Sequence, residues 1–172
     1  MKSSVKTLRL LVIVFGVVAL AIGLASCKDG DGGGLTLDEY FTRLQEIDQA
    51  AEQRFDEVDG QLGEPEDVEA VKDIFPDLLA VAEDFFTDIE ALDPPEEARD
   101  AHDAAVAAGR EVEDRLEALL DRTEDMQSLD EFFAATQDSA LSAAEEAFSA
   151  ACLDLEQIAA SNNIDIDLSC EE

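Results

Sequence analysis

Apolar residues recur at steps of three and four along four stretches of this chain, and helix boundary signals flank each stretch. The first stripe is Leu37, Tyr40, Phe41, Leu44, Ile47, Ala51, Phe55, Val58 and Leu62. It opens on Thr36-Leu37-Asp38-Glu39, where Thr36 serves as N-cap and Glu39 closes a capping box. Gly60, Gly63 and Pro65 supply its stop. The second runs over 66–92 through Val68, Val71, Phe75, Leu78, Ala82, Phe85, Ile89 and Leu92. Pro76 falls inside it and predicts a kink or two abutting helices, because proline lacks an N–H and crowds the preceding turn. Pro94-Pro95 separates it from the third, and Pro95 is placed in the third helix's first turn. That stripe is Ala98, His102, Ala105, Gly109, Val112, Leu116 and Leu119. The fourth begins at a second capping box, Ser128-Leu129-Asp130-Glu131, and stops at Asn162-Asn163. Its predicted buried face is Leu129, Phe132, Phe133, Thr136, Ala140, Ala143, Ala147, Phe148, Ala151, Leu155 and Ile158. Beyond it, Ile164-Asp165-Ile166-Asp167-Leu168 alternates apolar and acidic, as an extended segment lying on a core would.

Long helices with short connections pack as neighbours running in opposite directions. The expectation is an all-α fold: an antiparallel up-down four-helix bundle with a kinked second helix and a pinned C-terminal tail. A three-helix bundle with a looser first helix is the alternative. The domain spans 35–172, enough residues for one ordinary core.

The residues before this domain are of another kind. Lys2, Lys6 and Arg9 form a basic start, and residues 10–24 are apolar with Gly16 and Gly23. Ala25 and Ser26 are small, as a processing peptidase requires. The apolar run is shorter than the roughly 20 residues that span a bilayer as a stable helix, so residues 1–26 read as a cleaved signal. Leu24-Ala25-Ser26-Cys27 resembles the lipobox of bacterial lipoprotein precursors. The resemblance implies that Cys27 is acylated, with chains such as palmitate, and becomes the mature N-terminus. It also implies anchorage on the outer face of a bacterial cell or outer membrane. Two or three acyl chains hold firmly, since each buried methylene contributes about 0.8 kcal/mol. Residues 27–34 are polar and glycine-rich and read as a flexible tether. Its Asp-Gly repeat fails as an EF-hand loop, which would need acidic ligands at Gly33 and Tyr40.

Charge sharpens this picture. All 43 acidic residues come after the signal, against eight of the 11 basic ones, so the mature chain carries about −35. Such a surface repels nucleic acid and anionic head groups and suits cations or basic partners. The plainer account of it is a solvated acidic face. With Cys27 acylated, Cys152 and Cys170 remain, and an exported domain sits where disulfides persist. We expect them to form a structural bridge that holds the tail to the fourth helix.

Candidate chemistry is sparse. His102 is the one histidine, on an apolar stripe whose neighbours Ala105 and Gly109 are small enough to leave room for a ligand. The plainer reading is a half-buried histidine hydrogen-bonded to an acid on another helix or to the free backbone at a helix end. Arg99 stands where a di-iron bundle's Glu-x-x-His would need glutamate, and no C-x-x-C-H offers a haem attachment. A haem ligated by His102 and Met126 would need groups some 36 Å apart on one continuous helix to converge. One histidine is too few for a closed zinc site, and G-x-S-x-G and phosphate-cradling glycine loops are absent. No catalytic residue, metal or cofactor is therefore assigned. The expected function is a non-enzymatic, lipid-anchored binding or interaction module for an unidentified protein or small molecule. The alternative is a small-molecule or metal-cation binder built around His102, Ala105 and Gly109. Together with its two C-terminal cysteines and Pro-Pro turn, the chain resembles small helical lipoproteins of bacteria.

Overall fold

The computed structural model describes residues 34–62, 65–168 and 170. Among these there are five helices and no strand: α1 Leu37–Leu62, α2 Val68–Glu90, α3 Arg99–Thr123, α4 Leu129–Thr136 and α5 Ser139–Ser161. The predicted signal, Cys27 and the tether up to Gly33 lie outside the described residues.

The first predicted capping box forms in full, and the second forms in one of its two arms. The Thr36 backbone N–H donates to Glu39 Oε2 at 3.0 Å, and the Glu39 N–H donates back to Thr36 Oγ1 at 3.3 Å. At the second, the Glu131 N–H donates to Ser128 Oγ at 3.3 Å. Its return arm reaches one residue further, with the Gln127 N–H donating to Glu131 Oε2 at 2.7 Å. Each pair satisfies N–H groups that a helix start leaves without partners.

Helix α2 continues through Pro76 without ending, so the expectation of two abutting helices fails. Pro76 is solvent-exposed. Its ring therefore faces water, and the carbonyl it leaves without a helical partner has solvent to turn toward. Pro95 is also displaced from its expected place. Its carbonyl accepts from the Ala98 N–H at 3.0 Å, closing a turn ahead of α3, whose N-cap is Ala98.

The fourth predicted helix is two. Gln137 and Asp138 leave helical conformation, with Asp138 at ψ 127°, and the Asp138 side chain accepts from the Ala140 N–H at 2.8 Å. Asp138 thus caps a new helix in mid-segment. The break rotates the phase of the helix beyond it. Leu141 and Ala144 are buried where Ala140, Ala143 and Ala147 were expected, and Ala143 and Ala147 are exposed. One residue corresponds to about 100° around a helix, enough to move a stripe from core to solvent. Ala151 and Leu155 are buried as predicted, now joined by Cys152 and Ala159.

Helix α2 lies between α1 and α3, and α3 packs along α5. This flanking explains why α2 buries Leu79, Val81 and Phe86 beyond its predicted stripe. The α3 stripe is buried as expected, with Leu116 half-buried. At the end of α5, Asn163 adopts φ 60°. The Ile164 N–H reaches the Ala159 carbonyl at 2.9 Å and the Asn163 N–H reaches Ala160 at 3.1 Å. Those two bonds form a Schellman stop, in which asparagine tolerates the left-handed conformation. The tail then alternates as predicted: Ile164 and Ile166 half-buried, Leu168 buried, Asp165 and Asp167 exposed. A disulfide joins Cys152 to Cys170, with Cα atoms 5.7 Å apart.

Candidate functional site

His102, Ala105 and Gly109 do share one buried face of α3, as their spacing requires. What surrounds them is protein. His102 is 4% exposed, and its Nδ1 lies 3.1 Å from the Tyr40 hydroxyl on α1. The two rings meet edge to face. Burial, and then the Asp103 carboxylate, push the Tyr40 hydroxyl far above its ordinary value, so it keeps its proton. Burial lowers His102 below its ordinary value; Asp103 opposes this and Arg99 reinforces it. The imidazole tautomer sets which of the two groups donates in this bond. Tyr40 appeared in the sequence only as a stripe residue. Beside Gly109 the room is taken by Phe86: a Cβ built there would stand 2.5 Å from Phe86 Cδ1. Phe85 and Phe148 in turn hold the Phe86 ring.

The chemistry that periodicity hid is acidic. Asp48 occupies the buried face of α1 between Leu44 and Ala51 and is 5% exposed. Burial raises its carboxyl first, then the charges of Glu52, Asp167 and Glu156, up to about 7. These come from α1 itself, the tail and α5. In the sequence Asp48 was one acid among 43, and only its phase within the first stripe could have singled it out.

A second acidic group joins α2 to α3. Glu83, Glu113 and Glu117 bring carboxylate oxygens within 4.8 Å of one another. Arg110 bonds Glu113 at 2.6 Å and also pairs with Glu90 of α2, so part of that charge is already balanced.

Two open grooves lie toward the start of α3. One of about 540 Å³ is lined by Ala101, Ala104 and Ile158 with Glu97, Asp100 and Asp154 among its polar walls. Another, of about 510 Å³, lies among Gly34, Leu35, Asp93, Pro94, Pro95 and Arg99. Comparison with known proteins returns no matching family model, no matching curated protein and no matching solved structure. No helix among the described residues is long and apolar enough to cross a membrane. Functional assignment therefore rests on this chain's own residues.

Proposed function

We propose that this chain is a lipid-anchored, extracytoplasmic helical module that binds a partner rather than transforming a substrate. The observation that carries the reading is Leu24-Ala25-Ser26-Cys27 behind a basic start and an apolar run. The disulfide is consistent with it, because such bridges persist in oxidising compartments outside the cytoplasm. The partner surface we favour is the groove between the first turns of α3 and the last turns of α5. Its apolar floor and acidic walls suit a basic protein segment.

We read the helices as the antiparallel up-down bundle that the connections suggest, with α4 and α5 together in the place of its fourth helix. Two proximities support the order. Gly34, before α1, is close to Asp93, after α2. Glu97 and Asp100, around the start of α3, share a groove with Ser161 and Asn162 at the end of α5.

The ligand reading around His102 has less support, since Phe86 takes the space beside Gly109 and Tyr40 takes Nδ1. A thermal-shift screen of small molecules and metal ions distinguishes the two, with His102→Ala as control. A shift lost in that variant would favour the ligand reading.

The anchor has a direct test. Membrane-extracted protein should carry acyl chains on Cys27 by intact mass, and Cys27→Ser should move it to the soluble fraction. An unmodified product beginning elsewhere would refute the proposal.

A further inference from the structure

The chain enters its helices beside the turn that opens α3. A Cβ built on Gly34 would stand 3.2 Å from Asp93 Oδ2, and Gly34 shares a hollow with Pro95, Glu96 and Arg99. The groove between α3 and α5 starts at neighbouring positions of that turn: Glu97, Asp100, Ala101 and Ala104 line one side, Asp154 and Ile158 the other. Seven residue steps separate Cys27 from Gly34, a reach of at most about 25 Å even when fully extended. An acylated Cys27 therefore keeps this groove close to the bilayer.

The groove calls for positive charge. Glu97, Asp100 and Asp154 are exposed, and none of them has an ion-pair partner among the described residues. Arg54, Arg110, Arg115 and Arg122 pair with acids elsewhere. Arg99, next to Asp100 in sequence, donates from Nη2 to the Pro94 carbonyl at 3.0 Å and lines the neighbouring hollow instead. Ser161 and Asn162 close the groove at the end of α5, whose last turn carries no basic residue. The partial negative charge of that helix end adds to the three carboxylates. Between the charges, half-buried Ile158 and the two alanines offer a small apolar floor.

We infer that this groove receives a basic, amphipathic segment of an integral membrane protein, at the point where that segment leaves the same bilayer; this rests on the anchored reading of Cys27. Lysines or arginines of the segment face Glu97, Asp100 and Asp154, and an apolar side chain between them covers Ile158. The floor is small and exposed ion pairs are individually weak, so a segment diffusing freely binds poorly. Held in the same bilayer, it meets the groove at a much higher effective concentration. Short loops on the outer side of a membrane are poor in lysine and arginine, so the charge requirement makes the groove selective among its neighbours.

The experiment uses the acylated full chain, its Cys27 modification checked by intact mass, in phosphatidylcholine vesicles. The probe is an amphipathic lysine–leucine peptide joined by a short linker to a transmembrane leucine helix in the same vesicles. Carbodiimide couples its lysines to the carboxylates they touch, and peptide mapping locates the links. They should concentrate on Glu97, Asp100 and Asp154, and fall about tenfold when the peptide is supplied without its membrane helix. Glu97→Gln, Asp100→Asn and Asp154→Asn together should lower total coupling about tenfold. Asp38→Asn, Asp93→Asn and Glu96→Gln remove as much charge outside the groove and should leave coupling unchanged. All six positions are exposed, so neither set disturbs the core. Links spread evenly over exposed acids, equal effects of the two sets, or equal yield from the unanchored peptide would each overturn the proposal while leaving the acylated anchor standing. Protection of the three groove carboxylates in vesicles without peptide would assign the groove to lipid head groups and overturn it as well. A chain without acyl groups would overturn both readings.

Discussion

At the scale of single residues, the interior is set by pairs that no one-dimensional pattern announces. Tyr40 and Phe41 are fully buried, and the tyrosine hydroxyl has His102 as its partner. Removing it with Tyr40→Phe leaves the histidine nitrogen without its hydrogen-bond partner. We expect a loss of about 1–3 kcal/mol, measured by urea denaturation. An unchanged midpoint would mean water reaches the ring. Gly109 is a sharper case. Alanine gains up to about 1 kcal/mol over glycine in a helix. At this position the added methyl meets a Phe86 ring that is itself packed between aromatic neighbours. Overpacking of that kind costs about 1–3 kcal/mol, so Gly109→Ala should lower the melting temperature by a few degrees. A rise would show that the ring can give way. Asp48 extends the same lesson: its phase on the first stripe was readable, but Glu156 and Asp167 lie 108 and 119 residues away in sequence. No local pattern links groups so far apart.

Among the elements, legibility tracked the strength of the boundary chemistry. Thr36 and Glu39 bond reciprocally, Ser128 accepts from Glu131 while Glu131 accepts from Gln127, and both helices begin where the sequence places them. Asp138 carries only one half of such a signal, because Leu141 stands where a box would place glutamate. The apolar stripe ran across it without a visible gap, and one long helix was the natural expectation. Asp138→Ala removes the cap and should cost about 1 kcal/mol. It also loses the contact of Asp138 with Arg122, 3.7 Å away at an exposed position where such pairs add little. Circular dichroism during thermal unfolding would measure the loss. An increase in helicity would indicate that α4 and α5 fuse once the cap is gone. Pro76 shows the opposite balance: a strong local breaker tolerated because it faces solvent while Phe75 and Leu79 beside it are buried.

For the molecule as a whole, the disulfide and the tail act together. Closing an 18-residue separation contributes about 3 kcal/mol in the chain-entropy picture. Cys152→Ser combined with Cys170→Ser should therefore lower stability by roughly that amount, read from denaturation with and without reductant. It should also release segment 164–168, read as faster amide exchange there. Wild-type protein insensitive to reductant would contradict this.

The sequence by itself determined the helical class, the α3 stripe, the two boxed helix starts, the asparagine stop and the alternating tail. Each of these rests on residues within a turn or two of one another, where periodicity and capping act directly. The lipobox-like run ending at Cys27, on which the proposed anchorage rests, is likewise a local pattern and lies outside the described residues. Tertiary structure alone decided that α2 is buried on more than one side, that Phe86 fills the space beside Gly109, and that His102 meets a tyrosine. It also decided that Asp48, among the acids of the described residues, is buried. Those outcomes depend on which surfaces meet, and burial is a property of the meeting rather than of either partner.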